Sequence, residues 1–215
     1  VLARRRVQGD DLIARASAGE LIPPGEMLPT RFDMDDTGTP DTWWNFQTDG
    51  YGTWLWSVVT HAARHDLDLR RWRSGIEVAT DYAAAFWHLP CYDWWEEHID
   101  ERHVSTLGAL YGGLTAVAGS GVLDATRTEA ALAAADAIQV TVLRDGVGEA
   151  PSGRRHLTKW FGWNAIDASV ASCVVPFGLL AVDDSIARGT LDEIREHLDF
   201  GGVHRFPQDV FYGGG

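Results

Sequence analysis

The sequence predicts an all-α fold, a toroid of paired helices, on three observations. Stretches with apolar residues at helical spacing recur along the chain, each roughly 10–20 residues long, as globular helices are. No stretch shows sustained period-two alternation with hairpin turns. The breaks between helices are long, irregular and aromatic. Such loops, at one end of a helical barrel, can place many side chains around one pocket. No internal repeat is clear enough to add to this.

Taken in order, residues 1–20 mix Arg, Ala and Leu and predict a helix ending near Gly19. Residues 22–46 read as loop, because Pro23-Pro24-Gly25 and the run from Asp33 to Pro40 are strong turn signals. An amphipathic, Trp-rich helix is expected over residues 49–65 and a second over 70–88, stopped by Pro90. A third, rich in small residues, covers 106–118 and closes at Gly119-Ser120-Gly121. A fourth, Ala-rich, covers 124–143, and a fifth covers 167–180 although it contains Pro176. The sixth, 190–198, starts at Thr190 with Glu193 three residues on, the pattern of a capping box.

Composition narrows the function classes. With 45% hydrophobic residues over 215 positions the chain supports one sizeable core rather than two. No apolar run approaches the roughly 20 residues that span a bilayer, so no membrane partner is expected. A formal net charge of −13 argues against tracking nucleic-acid phosphates and leaves an uncharged substrate compatible. Ten tryptophans are many for this length. A buried indole needs a partner for its N–H, so about half are assigned to the core. The rest suit stacking on the apolar face of a sugar ring. Two cysteines, Cys91 and Cys173, lack the spacing of a disulfide framework and are expected as free thiols. Val1 is not an initiator Met, no signal peptide is visible, and the last five residues stop without a capped element. The chain is therefore expected to be a segment of a longer protein.

The densest cluster of chemistry is Tyr92-Asp93-Trp94-Trp95-Glu96-Glu97-His98. Crowded carboxylates flanked by indoles raise one another's pKa, which keeps one acid protonated near neutrality. A protonated carboxyl beside a sugar-stacking Trp is what donation to a glycosidic oxygen requires. A solvated acidic loop anchored by two tryptophans is the alternative, and composition alone does not separate them.

Four blocks, in order, carry a resemblance. They are WWNFQTDGYGTWLWSVVTHA at 43–62, CYDWWEEHIDERHVSTLGALYGGLTAVA at 91–118, the Asp-Ala-Ser to Gly-Leu-Leu to Asp-Asp stretch of 163–198, and GGVHRFPQDVFYGGG at 201–215. Together they resemble glycoside hydrolase family 15, the glucoamylases, over most of residues 22–215. The resemblance implies an (α/α)6 toroid of the six-hairpin glycosidase type, incomplete here, with residues 1–215 part of a single catalytic domain. It also implies an inverting, exo-acting hydrolase that releases β-glucose from α-1,4- or α-1,6-linked gluco-oligosaccharides, maltose-like or isomaltose-like.

Position by position, the resemblance makes Glu96 the general acid and Glu97 and Asp93 acidic neighbours that bind or tune the site. Trp95 and Tyr92 line the pocket, and Trp43 lies over the bound sugar, with Trp44 able to exchange roles with it. Asp49 of the Gln-Thr-Asp-Gly block joins the substrate-binding set. Arg205 matches an arginine that hydrogen-bonds sugar hydroxyls, supported by Asp209, a geometry suited to a guanidinium fork. Two family features are missing. An N-terminal Arg-Asp motif does not appear, and the general-base Glu would fall after Gly215, so the segment alone is expected to be inactive. Glu149, Glu193 and Glu196 read as surface or helix-capping residues.

Other motifs are weaker. Residues 33–44 partly mimic a calcium loop, but the twelfth position is Trp44. His61 and His65 are spaced like metal ligands but lack a third. His103 matches a family His of unassigned role, and His156 stands alone. No metal or organic cofactor is expected. The expected partner is a small α-gluco-oligosaccharide, and oligomeric state is not legible. Small substrates favour a cytoplasmic over a secreted protein. Other readings are a trehalase- or phosphorylase-type toroid enzyme, the latter needing a basic phosphate pocket, and a sugar-binding protein that would tolerate loss of Glu96.

Overall fold

The structure, a computed structural model, describes residues 2–30 and 46–209. It is mostly helical. Helix α1 (Leu2–Ser17) ends before Gly19, which takes the left-handed conformation at φ 84°. Helix α2 (Asp49–Arg64) and α3 (Arg73–Phe86) are joined through a short 3-10 turn, Leu69–Trp72, capped by the Asp68 side chain. Helix α4 (Val104–Gly119) follows the acidic loop, and α5 (Ala125–Asp145) begins at an Asp124 cap that accepts the Arg127 N–H.

Helix α4 sets the core. Val104, Leu107, Ala109, Leu110, Leu114 and Val117 are all at most 2% exposed, so α4 is apolar all round, as a helix packed on several sides must be. It lies against α2 on one side and α5 on another. The α2–α4 approach depends on glycine: a Cβ at Gly52 would meet the backbone of Ala109, and one at Gly113 would meet the backbone of Gly52. A smaller cluster, with Leu12, Leu28, Phe46, Tyr82 and Phe86, fastens α1 to α3. Cys91 and Cys173 are buried free thiols, as the spacing implied.

The structure departs from the sequence expectations in three places. Residues 167–180 do not form an α-helix. A 3-10 turn, Ala168–Cys173, gives way to turns around Pro176, which has no N–H to donate, and Gly178 at φ 65°. A two-stranded antiparallel hairpin, β1 (Val147–Glu149) with β2 (Arg155–Leu157), was not anticipated because three-residue strands carry no readable alternation. The last helix, α6 (Ser185–His197), starts earlier than the capping box suggested. Asp184 caps it by accepting the Ile186 and Ala187 N–H groups. Thr190 lies inside the helix, its hydroxyl donating to the Ile186 carbonyl (2.7 Å) and accepting the Leu157 N–H (2.8 Å). Glu193 is likewise no surface residue: it is 5% exposed and paired with Arg154 at 2.8 Å. Glu149 and Glu196 are exposed.

Candidate active site

The acidic loop, residues 92–98, crosses from α3 to α4 and folds around one buried carboxylate. Asp93 is 2% exposed. Its Oδ1 accepts the backbone N–H groups of Trp95 and Glu97, both at 2.9 Å, and its backbone carbonyl accepts from Glu96 N (3.0 Å) and Gln47 Nε2 (3.2 Å). Its Oδ2 faces the Lys159 ammonium at 2.9 Å. That ammonium also donates to Asp167 Oδ2 at 2.6 Å. Asp167 in turn accepts the Trp95 indole N–H (3.0 and 3.2 Å) and both the N–H and the hydroxyl of Ser169. The Lys159 and Asp93 side chains are 2% exposed and that of Asp167 1%. A buried charge cluster is tolerable when hydrogen bonds fill the remaining lone pairs, as they do at Asp93 Oδ1 and around Asp167, while Asp93 Oδ2 relies on the ammonium alone. The Phe206 ring covers the ammonium at 3.7 Å.

This anchoring gives the two adjacent glutamates different surroundings. Glu96 and His98 both adopt left-handed backbone, φ 60° and 52°. Such non-glycine residues cost about 1–3 kcal/mol each and persist where neighbours over-determine them. Glu96 lies exposed on the wall of a cavity of about 530 Å³ that is also lined by Gln47, by Tyr51 and Trp54 of α2, and by Arg5 and Thr30. Glu97 turns to Arg205, whose guanidinium reaches its Oε1 at 3.3 Å from two nitrogens. Asp209 grips the same guanidinium from its other edge, 2.6 Å from Nε to Oδ2, and its hydrogen bonds push the Arg205 pKa further up. The Arg205 fork lies over the Trp95 ring at 5.5 Å.

Of the residues singled out from the sequence, Asp93, Trp95, Glu97, Arg205 and Asp209 form one connected assembly, and Glu96 and Asp49 adjoin it. Tyr92 is half-buried and pairs its N–H with the Phe46 carbonyl. Asp93 holds the loop from beneath rather than presenting an oxygen to solvent. Trp43, Trp44 and the calcium-like run 33–44 lie outside the described residues. His103, 1% exposed, places Nε2 at 2.9 Å from the His98 carbonyl, so it fixes the end of the loop. His156 is buried against the Leu157 carbonyl, and exposed His61 and His65 pack ring to ring on α2.

Burial lifts a carboxyl outside the acidic loop, that of Asp49. Trp95 directs its indole N–H to Asp167, and Glu96 is exposed on the cavity that Trp54 also lines. Asp49, at the first turn of α2, has a buried Oδ1, and burial pushes its pKa up to about 6, with the Asp93 charge adding to the effect and hydrogen bonds from Gln47 and nearby backbone opposing it. A raised carboxyl makes the folded state take up a proton that the unfolded state has already released. Its contribution therefore favours folding most near pH 4 and is lost as pH rises through about 6. Asp49→Asn should remove that slope, leaving Tm flatter between pH 4 and pH 6.5 than in the unaltered protein. Parallel Tm curves would contradict the burial of an ionisable group here.

Lys159 and Asp167, which tie the acidic loop to its neighbours, are barely legible in the sequence. Asp167 stands in a motif block, but nothing local marks its carboxylate as a partner of Trp95. Lys159 left one signal: it is the single lysine among the 18 Lys and Arg residues of the chain. Beside it, Trp160 stacks on Trp163 at 4.1 Å and meets the His98 ring at 4.7 Å, extending an aromatic surface from the loop.

No protein-family model matches the chain. Over its whole length it is 56% identical, across 217 aligned residues, to an isomaltose glucohydrolase of Kribbella flavida, of which it covers 55%. Over 78% of its length it is 30% identical to an uncharacterized glycosyl hydrolase of Methanocaldococcus jannaschii, covering 28% of that protein. Two solved structures superpose on all of the chain with TM-scores of 0.91 and 56% identity, a wild-type glycosidase and a variant glycosidase in complex with glucose. The chain covers 57% of each. It thus spans about half the length of the Kribbella protein and of both glycosidases, and less of the Methanocaldococcus protein.

Proposed function

We propose that this chain is a portion of the catalytic domain of a glycoside hydrolase that releases glucose from the non-reducing ends of α-gluco-oligosaccharides, with isomaltose-like α-1,6 linkages foremost. The observation that carries the reading is the acidic loop folded over Asp93, with Glu96 on a cavity wall and Glu97 clamped to Arg205. The whole-length similarity to an isomaltose glucohydrolase, and to a glycosidase in complex with glucose, supports the substrate class. We take the complete domain to be an (α/α)6 toroid, of which α1 to α6 are part.

In this reading Glu96 gives its carboxyl proton to the bridging oxygen as the glycosidic C–O bond breaks. A carboxylate outside this chain takes a proton from a water that attacks the opposite face of the ring. Inversion needs the two carboxyl groups about 6.5–9.5 Å apart, to leave room for that water. Exposure of Glu96 suits an acid that must exchange its proton with solvent after each turnover. Arg205, held rigid by Asp209 and Glu97, offers guanidinium N–H groups to sugar hydroxyls beside the leaving oxygen. Gln47 and Trp54 line the same cavity as Glu96 and supply polar and stacking contacts.

The test is to follow the intact protein with isomaltose by proton NMR. β-Glucose should appear first and then mutarotate. Initial α-glucose would overturn inversion, and absence of glucose would overturn the hydrolase reading.

A further inference from the structure

We propose that Lys159 is a positioning residue for the proton donor, a role that rests on the hydrolase reading above. Three observations converge on it. It is the only lysine in a chain whose other 17 basic residues, from a total of 18, are arginine, and it is also among the most buried side chains. A compact ammonium carries three donors about a point, whereas a guanidinium presents a planar fork, so a site enclosed between two carboxylates selects lysine. The geometry here is of that kind, with Asp93 Oδ2 at 2.9 Å and Asp167 Oδ2 at 2.6 Å from the same nitrogen.

The second observation is where those carboxylates lead. Asp93 holds the backbone N–H of Trp95, and Asp167 holds its indole N–H. Trp95 is therefore gripped at both ends by two groups that share one counter-ion. Asp93 also holds the N–H of Glu97, so Glu96 is the residue enclosed between two fixed points, in a left-handed conformation that an unanchored loop would relax.

The third is the roof. Phe206 closes over the ammonium, and the neighbouring residue in sequence, Arg205, lies over Trp95 and binds Glu97. The segment carrying the sugar-binding arginine and the loop carrying the acid thus meet on Lys159. Loss of its charge leaves two buried carboxylates facing one another. The pair can relieve that by separating or by taking up a proton, and either change loosens the Asp93 grip on Trp95 and Glu97, between which Glu96 is held. A misplacement of about 1 Å at a reacting group can cost about 100-fold in rate.

The experiment compares Lys159→Met and Lys159→Arg with the unaltered intact protein on isomaltose and on α-glucosyl fluoride. Fluoride departs with far less need of a proton than a sugar alkoxide does, so a fault confined to the acid spares it. For Lys159→Met we expect kcat on isomaltose to fall about 100-fold, KM to stay near its starting value, and fluoride turnover to be largely retained. Lys159→Arg keeps the charge, and with it the fold, but should show the same selective loss, because the fork cannot sit between both oxygens. Equal losses on the two substrates, or no loss on either, would overturn the proposal. Should the unaltered protein release glucose from neither substrate, the hydrolase reading itself fails, a result distinct from both.

Discussion

Glu96→Gln in the intact protein should lower glucose release from isomaltose by at least ~100-fold, the lower end of what a positioned acid contributes. The substitution keeps the side-chain shape and removes only the proton that the leaving oxygen needs. Glu96 is exposed. The melting temperature should therefore stay within about 2 °C, a surface substitution costing under ~0.5 kcal/mol at roughly 2–4 °C per kcal/mol. Unchanged turnover would transfer the acid role to Glu97 or end the assignment. Glu97 is the weaker candidate because its Oε1 is already engaged by the Arg205 guanidinium.

The second large effect concerns the scaffold. Gly113→Ala should destabilise the protein by about 3 kcal/mol, the upper part of the range for overpacking a well-filled core. At roughly 2–4 °C per kcal/mol for a domain of this size, Tm should fall by about 6–12 °C. The reason is geometric. A Cβ at Gly113 would overlap the Gly52 carbonyl, and backbone on α2 has no rotamer by which to yield. Helix α2 carries Asp49 at its first turn and lines the cavity through Tyr51 and Trp54, so separating α2 from α4 also disturbs the site. Gly119→Ala is the control. Its Cβ would meet nothing within 4 Å, and alanine in a helix gains up to about 1 kcal/mol over glycine. Equal Tm values for the two variants would contradict the close α2–α4 packing.

Much of this architecture was legible in the residues. Helices α2, α4 and α5 follow from apolar spacing with clear stops, because each is long enough for the helical period to repeat several times. The 167–180 run misled for the opposite reason. Most of its apolar residues are buried, Val175 excepted, but they pack as turns around Pro176 and Gly178, and burial alone does not distinguish a turn from a helix. Thr190 misled because its hydroxyl has the chemistry of a cap. Its use inside α6 depends on the Leu157 N–H, which no local pattern reveals. The site divides in the same way. The Trp-Glu-Glu loop and Arg205 stood out by motif, and the structure joins them through Trp95 and Glu97. Lys159 and its two carboxylates were opaque because a buried ion cluster is made by tertiary contacts between segments far apart in sequence. The burial that lifts the Asp49 carboxyl is likewise made by tertiary packing at the start of α2, which the Gln-Thr-Asp-Gly block does not reveal.

The most direct test of the account is the ratio of two rates in Glu96→Gln, one on isomaltose and one on α-glucosyl fluoride. A residue whose task is to protonate the departing oxygen should show isomaltose turnover reduced at least ~100-fold while fluoride turnover stays within about 10-fold of the unaltered protein. Equal reductions on both substrates would assign Glu96 to binding or to structure, and would contradict proton donation from this position.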